Sequence, residues 1–395
     1  MSEHLVKAYN SLPTSFTKGD GIYLWDTEGK RYLDALCGIS VTNLGHNYPA
    51  VTEAIQQQAS TLLHTSNLYS IGWQQKLANL ICELSGMDRV FFGNSGAEAN
   101  EAAIKIARLY GHNQGNSDPH IIVMNNSFHG RTMATLSASG GRKVQAGFEP
   151  LLSGFVRAPY NDIESIQSIA KNNQKVVAIL AEPVQGEGGI IVPDDGYIEG
   201  LRQICDKNNW LLMLDEVQTG IARSGKMFAF QHNNVTPDVL TLAKALGNGV
   251  PIGACVTQGK AADVIQPGNH GSTFGGNPLA CRAGYAVLES IQRDNILDNV
   301  INSSEQFVSH LKRDLAGHPD IKQIRNRGLL VGIEMKHNYQ AFVMHAFQRG
   351  LLLNVTAEKV IRILPPLILN KQQTEDMAQQ IIACIHSFEP TNTSS

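Results

Sequence analysis

The chain of 395 residues is poor in several things that would have pointed elsewhere. Its six cysteines (Cys37, Cys82, Cys205, Cys255, Cys281, Cys384) are scattered without a CxxC or CxxH pair, so neither a metal site nor a disulfide framework is expected. No apolar run approaches the roughly 20 residues of a membrane-spanning helix, so no membrane partner is expected. Net charge is only −3 at pH 7, which gives nucleic acid nothing to hold. The opening "MSEHLVKAYNSLPTSF" lacks a basic stretch followed by an apolar one. Secretion is therefore not expected, and a reducing, cytoplasmic setting is. Repeats and low-complexity tracts are also missing, apart from the polar tail "EPTNTSS", which is expected to fray.

What is present is an ordinary globular composition, 43% hydrophobic and 17% charged, enough for two or three domains around a sizeable core. "GIYLWDTEGKRYLDAL" alternates apolar and polar residues about a "DTEG" turn and predicts a hairpin. From Trp73 a helix, "GWQQKLANLICELSG", precedes a strand, "RVFF". The next helix sets Ala99, Ala103, Ile106, Ala107 and Tyr110 on one face, with Glu98, Glu101, Lys105 and Arg108 on the other. Then "HIIVMNN", "VVAILAEPV", "WLLMLDEV" and "DVLTLA" recur between helical stretches. Strands apolar on both faces predict a parallel sheet covered by helices on both sides. Past Asn295 a helix, "GLLVGIEM", "GLLLNV", "VIRILPPLIL" and a last helix predict a separate small α/β lobe. In such sheets ligands sit at the carboxyl ends of the strands.

Those ends carry groups that do not belong in a core. "RVFF" runs through Asn94, Ser95, Gly96 and Ala97 into a helix, and small residues at a helix start suit a phosphate. An ordinary cap by Ser95 or Asn94 accounts for them equally well. A hydrolase elbow would need glycine in place of Ala97. "HIIVMNN" leads to "SFHGRT", where Phe128 and His129 offer flat faces and Arg131 is either a carboxylate fork or a surface arginine. "VVAILAEPV" carries Glu182 and leads to Glu187 in "QGEGG", a solvated carboxylate or a movable partner for a cation. "WLLML" runs straight into Asp215, and a carboxylate behind such a strand needs a partner. That partner could be the magnesium of a nucleotide site, since "LLMLDE" resembles a Walker B strand and "GIARSGKM" approaches GxxxxGK[ST]. But Met227 stands where the magnesium-binding hydroxyl belongs, and the loop follows the acidic strand, so nucleotide binding is a poor fit. "DVLTLA" ends on Lys244. A lysine there usually snorkels to the surface; a desolvated one loses its proton and attacks a carbonyl. Together a phosphate-binding helix start, a stackable ring, a buried aspartate and a carbonyl-seeking lysine complement one ligand, pyridoxal 5′-phosphate.

The marks "FFGNSGAEANEAAIKIAR", "SFHGRT", "AEPVQGEGG", "LLMLDEVQTGIARSGK", "PDVLTLAKALGNGVPIGA" and "HGSTFGGNPLA", in that order over nearly the whole chain, resemble the class III pyridoxal-phosphate aminotransferases of fold type I. The resemblance implies an α/β fold with a large domain over residues 61–294 and a small domain built from both chain ends, 1–60 and 295–395. It implies that Lys244 holds the cofactor and that Asp215 faces the pyridine nitrogen. Val217 and Gln218 would follow at the ring, with Gln218 near its hydroxyl and Phe128 and His129 on the ring's side. Ser95, Gly96 and Ala97 would hold the phosphate. "GSTFGGNP" would cross a homodimer interface, bringing Thr273 to the phosphate of the neighbouring subunit with Ser272 near its substrate. Arg131 would clamp the substrate α-carboxylate, and Arg362 a carboxylate of 2-oxoglutarate, with Glu187 as a gate on Arg362.

"HTSNLY" and "CGISVTNLGH" fit the branch that acts on N2-acetylornithine, and Ile39 stands where the ornithine branch usually has tyrosine. The expected reaction is transamination of N2-acetylornithine with 2-oxoglutarate. Succinylornithine, succinyl-diaminopimelate, ornithine and 4-aminobutyrate remain alternative amines. Two residues depart from the family's commonest pattern: Ala97, often threonine, and Asn248, often glycine.

Overall fold

The structure is a computed structural model that describes residues 4–389, so all of the polar tail but its first residue lies outside the described residues. Asp26 closes the predicted hairpin turn, its Oδ1 accepting from the backbone N–H groups of Glu28 and Lys30 at 2.9 Å each. β1 (Phe16–Asp20), β2 (Tyr23–Asp26) and β3 (Arg31–Asp34) thus form an antiparallel meander. Its fourth strand, β13 (Leu351–Leu352), comes from the far end of the chain and runs parallel to β3.

The central sheet has seven strands in the order β4 (Arg89–Gly93), β10 (Gly253–Thr257), β9 (Val239–Leu242), β8 (Leu211–Asp215), β7 (Val176–Ala181), β5 (His120–Met124), β6 (Phe155–Ala158). β10 is antiparallel to both neighbours, while β9, β8, β7, β5 and β6 are parallel. The unbroken apolar runs have a direct cause, because alternate residues feed two separate cores. Ile122, Ile179, Leu212, Leu214 and Leu240 face one cluster, and Ile121, Val123, Leu180, Leu211 and Met213 the other. The Gly96–Asn113 helix covers the second face with Ala103, Ile106, Ala107 and Tyr110, as its periodicity predicts. The Gly72–Ser85 and Tyr197–Asn208 helices cover the first through Leu77, Ile81, Leu201 and Ile204.

A third sheet, in the order β11 (Ile321–Arg327), β12 (Leu330–Met335), β15 (Val360–Ile363), β14 (Asn354–Thr356), is antiparallel throughout. Arg325 stands opposite Gly332, Gly332 opposite Arg362, and Arg362 opposite Asn354. These four residues form one row across the sheet. Phe307 and Leu311 of the Ile296–Asp314 helix and Met377 and Ile381 of the Lys371–His386 helix pack on this sheet in a core shared with Ile22 and Leu33. The Pro49–Thr61 helix, at the end of the expected N-terminal segment, packs instead on the Pro278–Arg293 helix beside the central sheet.

Candidate active site

The carboxyl ends of β4, β5, β7, β8 and β9 meet around a cavity of about 450 Å³. Its walls contain Ser95, Gly96, Ala97, Phe128, His129, Arg131, Glu187, Asp215, Val217, Gln218 and Lys244, all named from sequence. Arg362 stands behind the wall and joins it through Glu187. Ser272 and Thr273 do not line it. The Ser272 hydroxyl accepts from Asn94 Nδ2 at 3.3 Å, and Thr273 and Phe274 are exposed.

At the β4 end the cap is formed and leaves the phosphate reading open. Ser95 Oγ caps the Gly96–Asn113 helix by accepting from Glu98 N at 3.2 Å. The N–H groups that open the helix have no partner within it, and Gly96 and Ala97 border the cavity. Gly96 must lack a side chain, since a Cβ there would stand 2.7 Å from Val217 Cγ1.

Asp215, 4% exposed, ends β8 under three donors. Its Oδ2 accepts from Asn100 Nδ2 at 2.8 Å and lies 2.7 Å from His129 Nδ1, and its Oδ1 accepts from Val217 N at 3.0 Å. A carboxylate cannot donate, so Nδ1 carries the His129 proton. Nearby, His129 Nε2 and Gln218 Oε1 are buried without a protein partner. Asn100 was not named from sequence. It lies about one turn inside the helix among alanines, and its amide is used up by Asp215, the His129 carbonyl and Thr241 Oγ1. Glu182 accepts from the N–H groups of Phe128 and Gly186, and burial, only partly offset by His129, pushes its carboxyl up to about 7.

The Lys244 carbonyl accepts from Gly247 N at 3.2 Å, but its side-chain amine has no hydrogen bond or ion pair among the described residues. Burial, reinforced by the charge of Arg362, lowers its amine to about 8. Its backbone is left-handed (φ 46°), as is that of Asn248 (φ 45°). Asparagine tolerates that conformation, and this one also donates to Gly45 O and accepts from Leu44 N, which accounts for the departure from glycine. Gly247 is required, because a Cβ would fall 1.9 Å from Val250 O.

Two arginines flank the site, one exposed and one buried. Arg131, exposed, lies 5.3 Å over the Phe128 ring. Arg362 is wholly buried and donates through Nη1 to Glu187 Oε1 at 2.6 Å and through Nε to Asn354 Oδ1 at 3.0 Å. Burial works to raise the Glu187 carboxyl, but Arg362, aided by Lys244 and Thr356, outweighs it and holds the group below its ordinary value. Ile39 packs against Val184, Ile190, Leu330 and Leu364 rather than in the wall; Val41 lines the cavity there. The stretch read as a possible phosphate loop, Gly220 to Met227, is buried except for Lys226. Its Arg223, fully buried, donates to Ser40 Oγ, Asn43 Oδ1, Leu329 O and Pro365 O. No phosphate could enter it.

The arrangement fits pyridoxal phosphate. It offers free helix-start N–H groups for an anion, a buried carboxylate for a ring nitrogen, the unpartnered Gln218 amide oxygen for a ring hydroxyl, and an unengaged amine for an aldehyde. The family model described as Aminotransferase class-III matches residues 5–385, and the chain belongs to that family. It is an aminotransferase, and its cofactor is pyridoxal phosphate. It is 54% identical over 385 residues to the acetylornithine aminotransferase of Nitrosomonas europaea, with 98% of each chain covered. Among solved structures, it is similar to the acetylornithine aminotransferase of Elizabethkingia anophelis (35% identity, TM-score 0.87, 98% and 97% coverage). It is also similar to a Toxoplasma gondii ornithine aminotransferase with partial occupancy of PLP at the active site (35% identity, TM-score 0.92, 96% and 92% coverage).

Proposed function

We propose that the protein transfers the δ-amino group of N2-acetylornithine to 2-oxoglutarate, giving N-acetylglutamate 5-semialdehyde and glutamate, a step that serves arginine biosynthesis. The observation that carries this reading is the full-length similarity to an acetylornithine aminotransferase. Bound, the cofactor supplies an aldehyde for the amino group and a conjugated ring that takes up electrons from the reacting carbon. Lys244 holds that aldehyde. Free of the aldehyde, its amine would be the base that moves the proton at the reacting carbon, worth ~10²–10⁴-fold, and its lowered pKa would raise the share that is neutral above that of an ordinary lysine. Asp215, fixed by Asn100, His129 and Val217, keeps the ring nitrogen protonated. Ser95, Gly96 and Ala97 hold the phosphate, and Phe128, Val217 and Gln218 frame the ring. Arg131 takes the substrate α-carboxylate. Arg362 takes a carboxylate of 2-oxoglutarate once Glu187 releases it.

The same reading makes the protein a cytoplasmic homodimer with shared sites. Thr273 and Ser272 complete the partner's pocket, in keeping with Thr273 and the 60% exposed Phe274 on the surface of a single chain. No helix of the described residues is long and apolar enough to cross a membrane. We also propose the division into a large domain, 61–294, and a small one from 1–60 and 295–395, supported by the pairing of β13 with β3. Comparing kcat/KM for acetylornithine, succinylornithine, succinyl-diaminopimelate, ornithine and 4-aminobutyrate tests the reading. Acetylornithine should lead ornithine and 4-aminobutyrate by about tenfold or more. A higher value for either of those amines overturns it.

A further inference from the structure

The glycine loop that carries Glu187 is not held by its own backbone alone. Gln185 and Ile191 pin its ends by paired hydrogen bonds of 3.1 and 3.0 Å. Between them Gly189 (φ 112°) and Ile190 (φ 55°) are left-handed. For a buried β-branched residue that conformation is strained and persists only with outside support. The support comes from the third sheet. Arg325 donates through Nε to Ile190 O at 2.7 Å and Gly189 O at 3.1 Å, and through Nη2 to Gly189 O at 2.5 Å. Its Nη1 donates to Glu334 Oε2 at 2.5 Å, a carboxylate shared with Lys322 and Lys359. The next position in the row is Gly332, where a Cβ would stand 2.9 Å from Ile190 Cβ, so the loop rests on the one bare position between the two arginines. Beyond it Arg362 takes Glu187, and Asn354 takes Arg362. A single row of the sheet therefore grips both the loop's backbone and its acidic side chain.

We propose that Arg325, held by Glu334, is a positioning residue that fixes the glycine loop so that Glu187 rests on Arg362, and thereby sets the enzyme's preference between an amine with no carboxylate at that end of the cavity and a dicarboxylate acceptor. This rests on the gate reading of Glu187 and Arg362 given above. Arg325 touches neither Glu187 nor the cavity wall and acts through two carbonyls. When those bonds are lost, the loop relaxes, Glu187 spends less time on Arg362, and an incoming carboxylate meets a freer guanidinium. Binding of the dicarboxylate should tighten, whereas general loosening of the site would weaken both substrates.

The test uses cofactor-loaded Arg325→Gln, Arg325→Lys, Glu187→Gln and the double variant Arg325→Gln/Glu187→Gln, with KM and kcat measured for both substrates. Arg325→Gln should lower the acceptor's KM relative to the amine's by roughly three- to tenfold, what one hydrogen bond contributes, with little change in kcat, and Glu187→Gln should shift the same ratio in the same direction. Arg325→Lys keeps charge opposite Glu334 but cannot fork onto two carbonyls, and should fall between. The double variant should match Glu187→Gln. A shifted ratio in Glu187→Gln with the parental ratio in both Arg325 variants overturns the proposal and leaves the gate standing, as do additive shifts in the double variant. No shift in any variant overturns the gate reading and the proposal with it. If Arg325→Gln does not fold, Arg325→Lys and Glu334→Gln carry the same comparison.

Discussion

Asp215→Asn removes a charge and an acceptor from the cavity at nearly constant volume. Three N–H donors converge on the carboxylate, from Asn100, His129 and Val217. An amide offers one oxygen and two hydrogens, so in either orientation at least one donor faces another donor. A buried donor left unpaired costs about 1–3 kcal/mol, and stability should fall by about that much. The loss in rate is separate and larger. Removing one partner of a buried charge pair costs about 3–5 kcal/mol, and if that falls on the transition state, kcat drops about 10²–10⁴-fold. The assay is a single-turnover absorbance measurement of the amine half-reaction, with cofactor content and thermal melting measured on the same sample. We expect a folded, yellow variant with near-stoichiometric cofactor and a collapsed rate. A variant that holds its cofactor and keeps kcat within about tenfold of the parent would refute the role of Asp215.

Lys244→Ala should abolish both turnover and borohydride-stable attachment of the cofactor to the chain; normal turnover in this variant sinks the assignment of Lys244. Arg131→Ala should raise the amine donor's KM about 10–100-fold, as expected for a charged hydrogen bond of about 1.5–3 kcal/mol, while cofactor affinity changes little; equal losses in both count against the clamp. Lys244 also makes a pH prediction for the cofactor-free protein. Its folded pKa of about 8 lies below the ordinary lysine value of 10.5, so between these the unfolded chain binds more protons. Stability should gain from this group as pH rises through that window. Chemical denaturation at pH 7.5, 8.5 and 9.5 should show that gain in the parent and lose it in Lys244→Met; parallel curves would contradict the burial of the amine.

Much of the site was legible because its residues follow parallel strands whose burial on both faces leaves an unmistakable apolar run. Asp215 after "WLLML" and Lys244 after "DVLTLA" stand out for that reason. β10 and β6 carry no such signal. β10 is a short run after the loop "GNGVPI", and β6 is an edge strand of four residues with an arginine in it. β11, "IKQIRNR", is polar because its side chains are exposed or half-buried, so it shows no apolar period. Asn100 escapes because a lone polar residue among helical alanines reads as an ordinary interruption. Its partners, Asp215 and Thr241, lie more than a hundred residues away. Arg325 and Arg223 escape because half of their acceptors are main-chain carbonyls, which leave no mark in a sequence, and most of the rest lie far off in the chain.

Arg223 has a consequence for how the molecule comes apart. Its guanidinium is sealed from water, forms no direct ion pair among the described residues, and relies on Ser40 and Asn43 from one end of the chain and on Leu329 and Pro365 from the other. If either terminal segment peeled away, the cation would keep only half its oxygens inside a still-closed interior. Partial detachment is thus penalised from both sides, and the three stretches are bound to melt in one cooperative transition. A proteolytic nick in either terminal segment would then release an unfolded chain rather than a trimmed and stable core.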